Sequence, residues 1–282
     1  MKRYTKEDIR KKFEKTHNAR HPVLVTTAGI GLSAKYEEMG ETDMICVSYF
    51  SILGMDGHSP LAGYLPYGNA NEVTERVIRR IASQVKKTPL MAAVCCTDPT
   101  TDMEPYLEKL LFLKTAAVCN LPSVGGLPRD VREVLQREGI YYQKEIEILK
   151  KAKEKGLYTA GVVFNDEQAA MMAETGTDMI ICSQGYAWDR SEEKEREMSI
   201  VRFSRMIRLV KTKNPDAEIL LDGDWLNSPE EAENYLNETG ATGLFLSSVV
   251  ERLPIEEPLV RAATAFKMIA IEKGGQKNGE TV

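Results

Sequence analysis

Asp43–Asn71, DMICVSYFSILGMDGHSPLAGYLPYGNAN, is the stretch whose reading decides the fold. It opens on a short apolar run, Met44–Val47, with the character of a buried strand. A long loop follows, carrying Gly54, Gly57, Pro60, Gly63, Pro66 and Gly68, and a helix begins near Asn69. Loops of this length are uncommon inside a domain and are usually functional. Phe50–Gly68 is therefore expected to lie over a ligand site and to be more mobile than the strands.

On either side of this stretch the chain alternates regularly. Apolar runs stand at Val23–Thr27, Met44–Tyr49, Leu90–Cys96, Ala116–Leu121, Tyr158–Phe164, Met179–Ser183, Glu218–Leu221 and Gly243–Leu246. Each is followed by residues with helical spacing, for example Leu32–Met39, Asn71–Val85, Glu192–Lys213 and Glu257–Lys273. Short strands that are apolar throughout belong to parallel sheets buried on both faces. Eight such units predict an α/β chain folded as a single (β/α)8 TIM barrel. A doubly wound open sheet is the alternative, but it would favour a GxGxxG turn, and Gly29-Ile30-Gly31 lacks the third glycine. Ser228-Pro229-Glu230-Glu231 has the pattern of a helix start, and Gly156, Gly176 and Gly240 stand at helix ends. The expected division is a solvated N-terminal helical extension over 1–22, the barrel over 23–273 and a disordered tail over 274–282.

The totals exclude several functions. Net charge is −5, which gives no electrostatic basis for binding nucleic acid or an anionic membrane. No apolar run is long enough to span a bilayer, and the N-terminal residues lack the apolar core of a secretory signal. The five cysteines, Cys46, Cys95, Cys96, Cys119 and Cys182, form no CxxC, so they read as reduced thiols of a cytoplasmic protein.

A barrel of this kind carries its chemistry at the C-terminal ends of its strands. Gly29 and Gly31 follow the first strand, Ser48 and Tyr49 the second, and Gln184 the sixth; all five are candidate substrate contacts. Asp98 follows the third strand, and Asp222 and Asp224 share a face after the seventh. Carboxylates around one mouth suit a hard cation such as Mg2+. His58 is the one histidine on this face and suits proton transfer. Asp98 itself and Asn120, after the fourth strand, are further catalytic candidates. Ser247 and Ser248 follow the eighth, where such barrels often bind phosphate, and Gly223 allows close approach. No lysine stands at a strand end, which ranks Schiff-base chemistry low.

With these residues placed, the chain resembles the phosphoenolpyruvate hydrolase-like family of TIM-barrel proteins, also called TIM-barrel signal transduction proteins. The resemblance rests on Gly31–Gly40 (GLSAKYEEMG), Leu61–Glu72 (LAGYLPYGNANE), Thr88–Pro99 (TPLMAAVCCTDP), Asn120–Gly125 (NLPSVG) and Ser247–Pro254 (SSVVERLP). It implies a barrel distantly akin to the phosphoenolpyruvate mutase and isocitrate lyase barrels. It also implies a hydrolase or lyase acting on a small phosphorylated or carboxylated 2-oxo or enol acid with Mg2+. The loops at Phe50–His58, Gln184–Asp189 and Leu221–Trp225 depart from the family pattern. A non-catalytic barrel that binds a metabolite or signals is therefore the alternative. Finally, Glu192–Lys213 shows two apolar stripes, Met198 with Val201 and Ile200 with Phe203 and Ile207, and predicts a homo-oligomer.

Overall fold

The computed structural model describes residues 4–185, 192–223 and 225–270, with backbone alone at 192–195. Eight parallel strands close into a barrel in sequence order. They are β1 (Val23–Thr27), β2 (Met44–Val47), β3 (Leu90–Ala93), β4 (Ala117–Cys119), β5 (Tyr158–Val163), β6 (Met179–Ser183), β7 (Glu218–Asp222) and β8 (Gly243–Leu246). β8 pairs back onto β1, with Val25 opposite Phe245, and closes the ring. The helices are α1 (Lys6–Asn18), α2 (Gly31–Met39), α3 (Tyr49–Met55), α4 (Ala70–Ile81), α5 (Met103–Phe112), α6 (Arg129–Arg137), α7 (Tyr142–Glu154), α8 (Asp166–Glu174), α9 (Glu192–Lys213), α10 (Pro229–Thr239) and α11 (Leu253–Lys267).

Strand period two sorts the core into two clusters. Val23, Val25, Met44, Cys46, Met91, Ala93, Tyr158, Ala160, Ile181, Leu220 and Phe245 pack together as the barrel interior. Ile45, Val47, Leu90, Ala92, Ile180, Ile219 and Leu221 instead meet the helices outside. Helix punctuation follows the local rules. Ser228 accepts from the Glu231 amide with Pro229 in the first turn of α10, and Gly156, Gly176 and Gly240 all have positive φ.

Three expectations are corrected. The N-terminal helix is not a solvated extension. Ile9 and Phe13 of α1, one turn apart, are buried and belong to the interior cluster, and Phe13 meets the Tyr158 ring edge-on at 5.9 Å. Its charged side holds the barrel floor, with Arg10 at 3.0 Å from Asp178 and Thr16 donating to Asp43 at 2.8 Å. The strong excess of charge hid this two-residue plug. Second, the long loop is largely helical. Phe50–Met55 lie in α3, and Pro60–Tyr64 form a 3-10 turn. Ser48 caps α3 by accepting from the Ser51 amide, so the glycine and proline content misled because a cap and an apolar turn outweighed it. Third, the last helix begins at Leu253 rather than Glu257, because Pro254 is tolerated in a first turn. On α9, Phe203, Met206, Ile207 and Val210 are buried, while Met198 and Val201 are exposed. Asp224, Tyr186–Asp189 and the 274–282 tail lie outside the described residues.

Candidate active site

The barrel interior continues upward into a cavity at the C-terminal mouth. Thr27, Ser48, Leu121, Phe164, Ser183, Asp222, Phe245 and Ser247 line it from the strand ends. α3 and the turn after it add Phe50, Ser51, Gly54 and Pro60 as a wall, and Ser248, Glu251 and Arg252 close the remaining side. The cavity encloses about 150 Å³, which is room for a small metabolite.

Among the described residues, two carboxyl groups and one guanidinium are its ionisable lining. Asp222 stands opposite Ser183 in the β6–β7 register, and Ser183 donates to Asp222 Oδ2 at 2.6 Å. Burial pushes the Asp222 carboxyl up to about 6, against the smaller pull of the Ser183 hydrogen bond. Glu251 belongs to the turn after β8 and reaches back across the barrel. Its Oε1 accepts from the Gly29 amide at 2.6 Å and from the Ser33 hydroxyl at 2.7 Å. Burial raises it to about 7, with those hydrogen bonds opposing. Behind it lies a second buried acid, Glu37, which accepts from Thr26 at 2.8 Å. Burial first, partly offset by Thr26 and reinforced by the charge on Glu251, lifts Glu37 to about 8.

The other candidates from the sequence are placed as follows. Ser48, Ser247, Ser248, Gly223 and Asp222 share the cavity lining. Gly29 stands just behind it: a Cβ there would meet the Ser51 carbonyl at 2.7 Å, so α3 packs directly on its backbone. Gly31 opens α2 and Tyr49 opens α3; neither lines the cavity. Gln184 follows Ser183, its amide donating to the Asp222 carbonyl at 2.9 Å. His58 is exposed just after the end of α3, its amide donating to the Leu53 carbonyl, and does not line the cavity.

Asp98 and Asn120 are organised by neighbours rather than by the cavity. Asp98 accepts from the Thr100 amide and hydroxyl, from Thr101 and from the side chains of Asn69 and Asn71. Burial works against ionisation there, but the hydrogen bonds from Thr101, Thr100 and Asn69 outweigh it and hold the carboxyl at about 2. Asn120 is fully buried. It pairs with both backbone groups of Val162 and donates to Glu145 at 2.6 Å. Glu145, also fully buried, accepts further from Ser123 and the Val124 amide. Among the described residues, no group of three or more His, Cys, Asp or Glu side chains gathers to hold a metal.

Glu251 and Arg252, which line the cavity, were missed as site residues. Glu251 carried a signal: it stands one helical turn beyond Ser247, inside Ser247–Pro254. Arg202 carried none. It sits in α9 and donates to the Phe164 carbonyl at 2.6 Å and the Gln184 carbonyl at 3.3 Å, tying the ends of β5 and β6.

Residues 8–269 match the model of a family described as phosphoenolpyruvate hydrolase-like. The tm-1(GCR26) and Tm-1(GCR237) proteins of Solanum lycopersicum, named for susceptibility and resistance to ToMV, are each 32% identical over 256 residues, covering 89% of this chain and 34% of theirs. The chain thus spans about a third of the length of these curated relatives. A phosphonopyruvate hydrolase crystallised with oxalate and Mg2+ superposes with a TM-score of 0.59 at 14% identity, covering 92% of this chain and 86% of that one. A phosphoenolpyruvate phosphomutase from Streptomyces platensis subsp. rosaceus gives 0.59 at 13% identity, covering 91% and 85%. At these identities the two structures share the fold.

Proposed function

Since the chain belongs to the phosphoenolpyruvate hydrolase-like family, we propose that it is an enzyme acting on a small anionic 2-oxo or enol acid in the cavity at the barrel mouth. One observation carries this reading: Asp222, Glu251 and Arg252 face one small cavity ringed by serine hydroxyls. Asp222, raised to about 6, is poised to exchange a proton near neutral pH. Ser183 holds its carboxyl in place. Arg252 and the hydroxyls of Ser48, Ser247 and Ser248 donate to the anionic group, and Phe50, Phe164 and Phe245 keep water out.

A divalent metal fits the donor set. Among the described lining residues two carboxylates stand beside one guanidinium, so a cation between them and an anionic ligand would be favoured. Both carboxylates are hard oxygen donors, and Mg2+ is commonly held by one or two carboxylates plus substrate oxygens. Glu251 would hold it, which leaves the Asp222 carboxyl free to exchange the proton. When bound, the ion would polarise the carbonyl or enolate oxygen of the acid. Asp98 is less suited, because its oxygens already take hydrogen bonds from four residues. The five unpaired cysteines fit work in a reducing cytoplasm.

The test is thermal stability with phosphoenolpyruvate, pyruvate and oxaloacetate, each with and without Mg2+, followed by a turnover assay on whichever acid binds. A ligand at about 100 times its Kd should stabilise by about 2.7 kcal/mol. No response to any acid in either condition would defeat the reading. Binding without turnover would favour the non-catalytic, metabolite-sensing alternative.

A further inference from the structure

Tyr64 ends the 3-10 turn Pro60–Tyr64 and turns inward. It packs onto the interior cluster of the barrel from above, while its neighbours Leu61 and Leu65 are exposed. Its ring lies against Phe50, with the centroids 5.2 Å apart. Its hydroxyl donates to the Ser123 carbonyl, in the loop after β4, at 3.1 Å. Two glycines make room for this packing. A Cβ at Gly63 would run into the Phe50 ring, and one at Gly126 would stand 3.2 Å from the Tyr64 hydroxyl and 3.0 Å from the Phe164 ring.

These contacts put the ring directly behind one side of the cavity, which Phe50, Leu121 and Phe164 line. On the far side of the ring lies the end of β3. Val94 and Cys96 face the helices, so Cys95 between them is turned toward the mouth. Cys95 nevertheless does not line the cavity. Burial, and after it the charges of Glu145, Asp222 and Cys95, hold the Tyr64 phenol well above its ordinary pKa range. Asp222 ends β7 and Cys95 follows β3, on opposite sides of the eight-stranded ring. A hydroxyl within electrostatic reach of both stands between them. The neutral ring thus divides the barrel mouth, with the cavity on one side and Cys95 on the other.

We propose that Tyr64 sets the length of the acid this cavity takes: its ring closes the cavity toward β3 and β4 and restricts it to acids of about three or four carbons. The inference rests on the reading of the cavity as a site for 2-oxo or enol acids and names the side chain that limits them. The volume agrees, since about 150 Å³ is the size of a void that holds benzene. So does the direction of the ligand. Ser247, Ser248 and Arg252 follow β8, and β4 stands opposite β8 in the ring. An acid anchored on those donors extends toward Leu121 and the Tyr64 ring behind it. Extra methylenes there would be forced against packed side chains. Tyr64 acts by occupying space, so its hydroxyl is not needed for the effect.

The test is calorimetric affinity of the full chain, with Mg2+, for pyruvate, oxaloacetate and the six-carbon 2-oxoadipate. Wild type should bind the better of the two short acids about tenfold or more tightly than 2-oxoadipate. Tyr64→Ala should remove or reverse that preference by tightening the long acid. Tyr64→Leu, which leaves a smaller void, should shift it the same way, and it carries the test if the alanine variant loses the wild-type circular dichroism spectrum. Tyr64→Phe should keep the wild-type order. A wild type that takes the long acid as well as the short ones, an unchanged order in the folded alanine or leucine variant, or a lost order in Tyr64→Phe would overturn the proposal. If no acid binds any of the proteins, the reading of the cavity's chemistry fails, and labelling by N-ethylmaleimide, located by mass spectrometry, decides the role of the ring. Cys95 should then react faster in the folded alanine or leucine variant than in wild type and Tyr64→Phe, and equal rates would overturn the proposal.

Discussion

Ser183 and Asp222 stand side by side on neighbouring strands, and the serine hydroxyl donates to Asp222 Oδ2 at 2.6 Å. The pair sits at the last inward position of β6 and β7, where the packed interior gives way to the cavity. A carboxyl so placed is buried enough to have a raised pKa and open enough to reach a ligand.

Asp222→Asn should therefore separate function from stability. The folded carboxyl is raised from 3.8 to about 6, so its favourable contribution is complete below about pH 3.8 and is lost as pH rises through 6. Above pH 6 the ionised group costs stability that asparagine does not. The variant should melt no lower than wild type at pH 7.5, while turnover falls by about 10²–10⁴-fold, the usual weight of a general acid or base. A variant with full turnover would remove Asp222 from the chemistry.

Glu37→Gln should change the pH dependence of folding. Glu37 is raised from 4.5 to about 8, so wild-type stability should decline as pH rises across that interval. Glutamine keeps the acceptor for Thr26 and removes the titration. Urea unfolding at pH 5 and pH 8.5 should show a flatter profile for the variant, with a gain at the higher pH on the order of a few kcal/mol. Parallel profiles would contradict it.

Asn120→Ala should act through stability. The substitution strands the Val162 amide and takes one donor away from the Glu145 carboxyl, both buried. Orphaned buried groups of this kind cost roughly 1–3 kcal/mol each. Denaturant midpoints should fall accordingly, while the affinity of the remaining folded protein for its ligand stays within about twofold, an expectation set by that absence of cavity contact. A large loss of affinity at unchanged stability would return Asn120 to the reacting centre.

Gly29→Ala should displace α3. Its Cβ would fall 2.7 Å from the Ser51 carbonyl and 2.9 Å from Ile52 Cα, both backbone atoms. The wall must shift, and the Gly29 amide would lose its aim at Glu251. We expect a lower melting temperature together with weakened ligand binding, checked by thermal shift with and without ligand. Wild-type behaviour in both would show that the helix yields without cost.

What the sequence alone determined about this protein is what local periodicity can encode. Runs of apolar residues at strand length, separated by helical spacing and punctuated by Ser228, Gly156, Gly176 and Gly240, specify the barrel element by element. Period two also fixes which strand-end residues point into the mouth, so Ser48, Asp222 and Ser247 were legible. Tertiary structure decided the rest, because a buried polar group is defined by its partners and those partners are remote in sequence. Asp98 has the sequence appearance of a free strand-end carboxylate, yet Asn69 and Asn71 from the preceding unit add two hydrogen bonds to those of its neighbours Thr100 and Thr101. Asn120 looks the same and is bonded to Glu145 and Val162. Ile9 and Phe13 close the floor of the barrel from a helix whose composition reads as solvated. Glu251 reaches the site only because β8 returns beside β1 and brings its carboxylate to the amide of Gly29, 222 residues earlier, a pairing that closure of the ring creates and no local pattern contains.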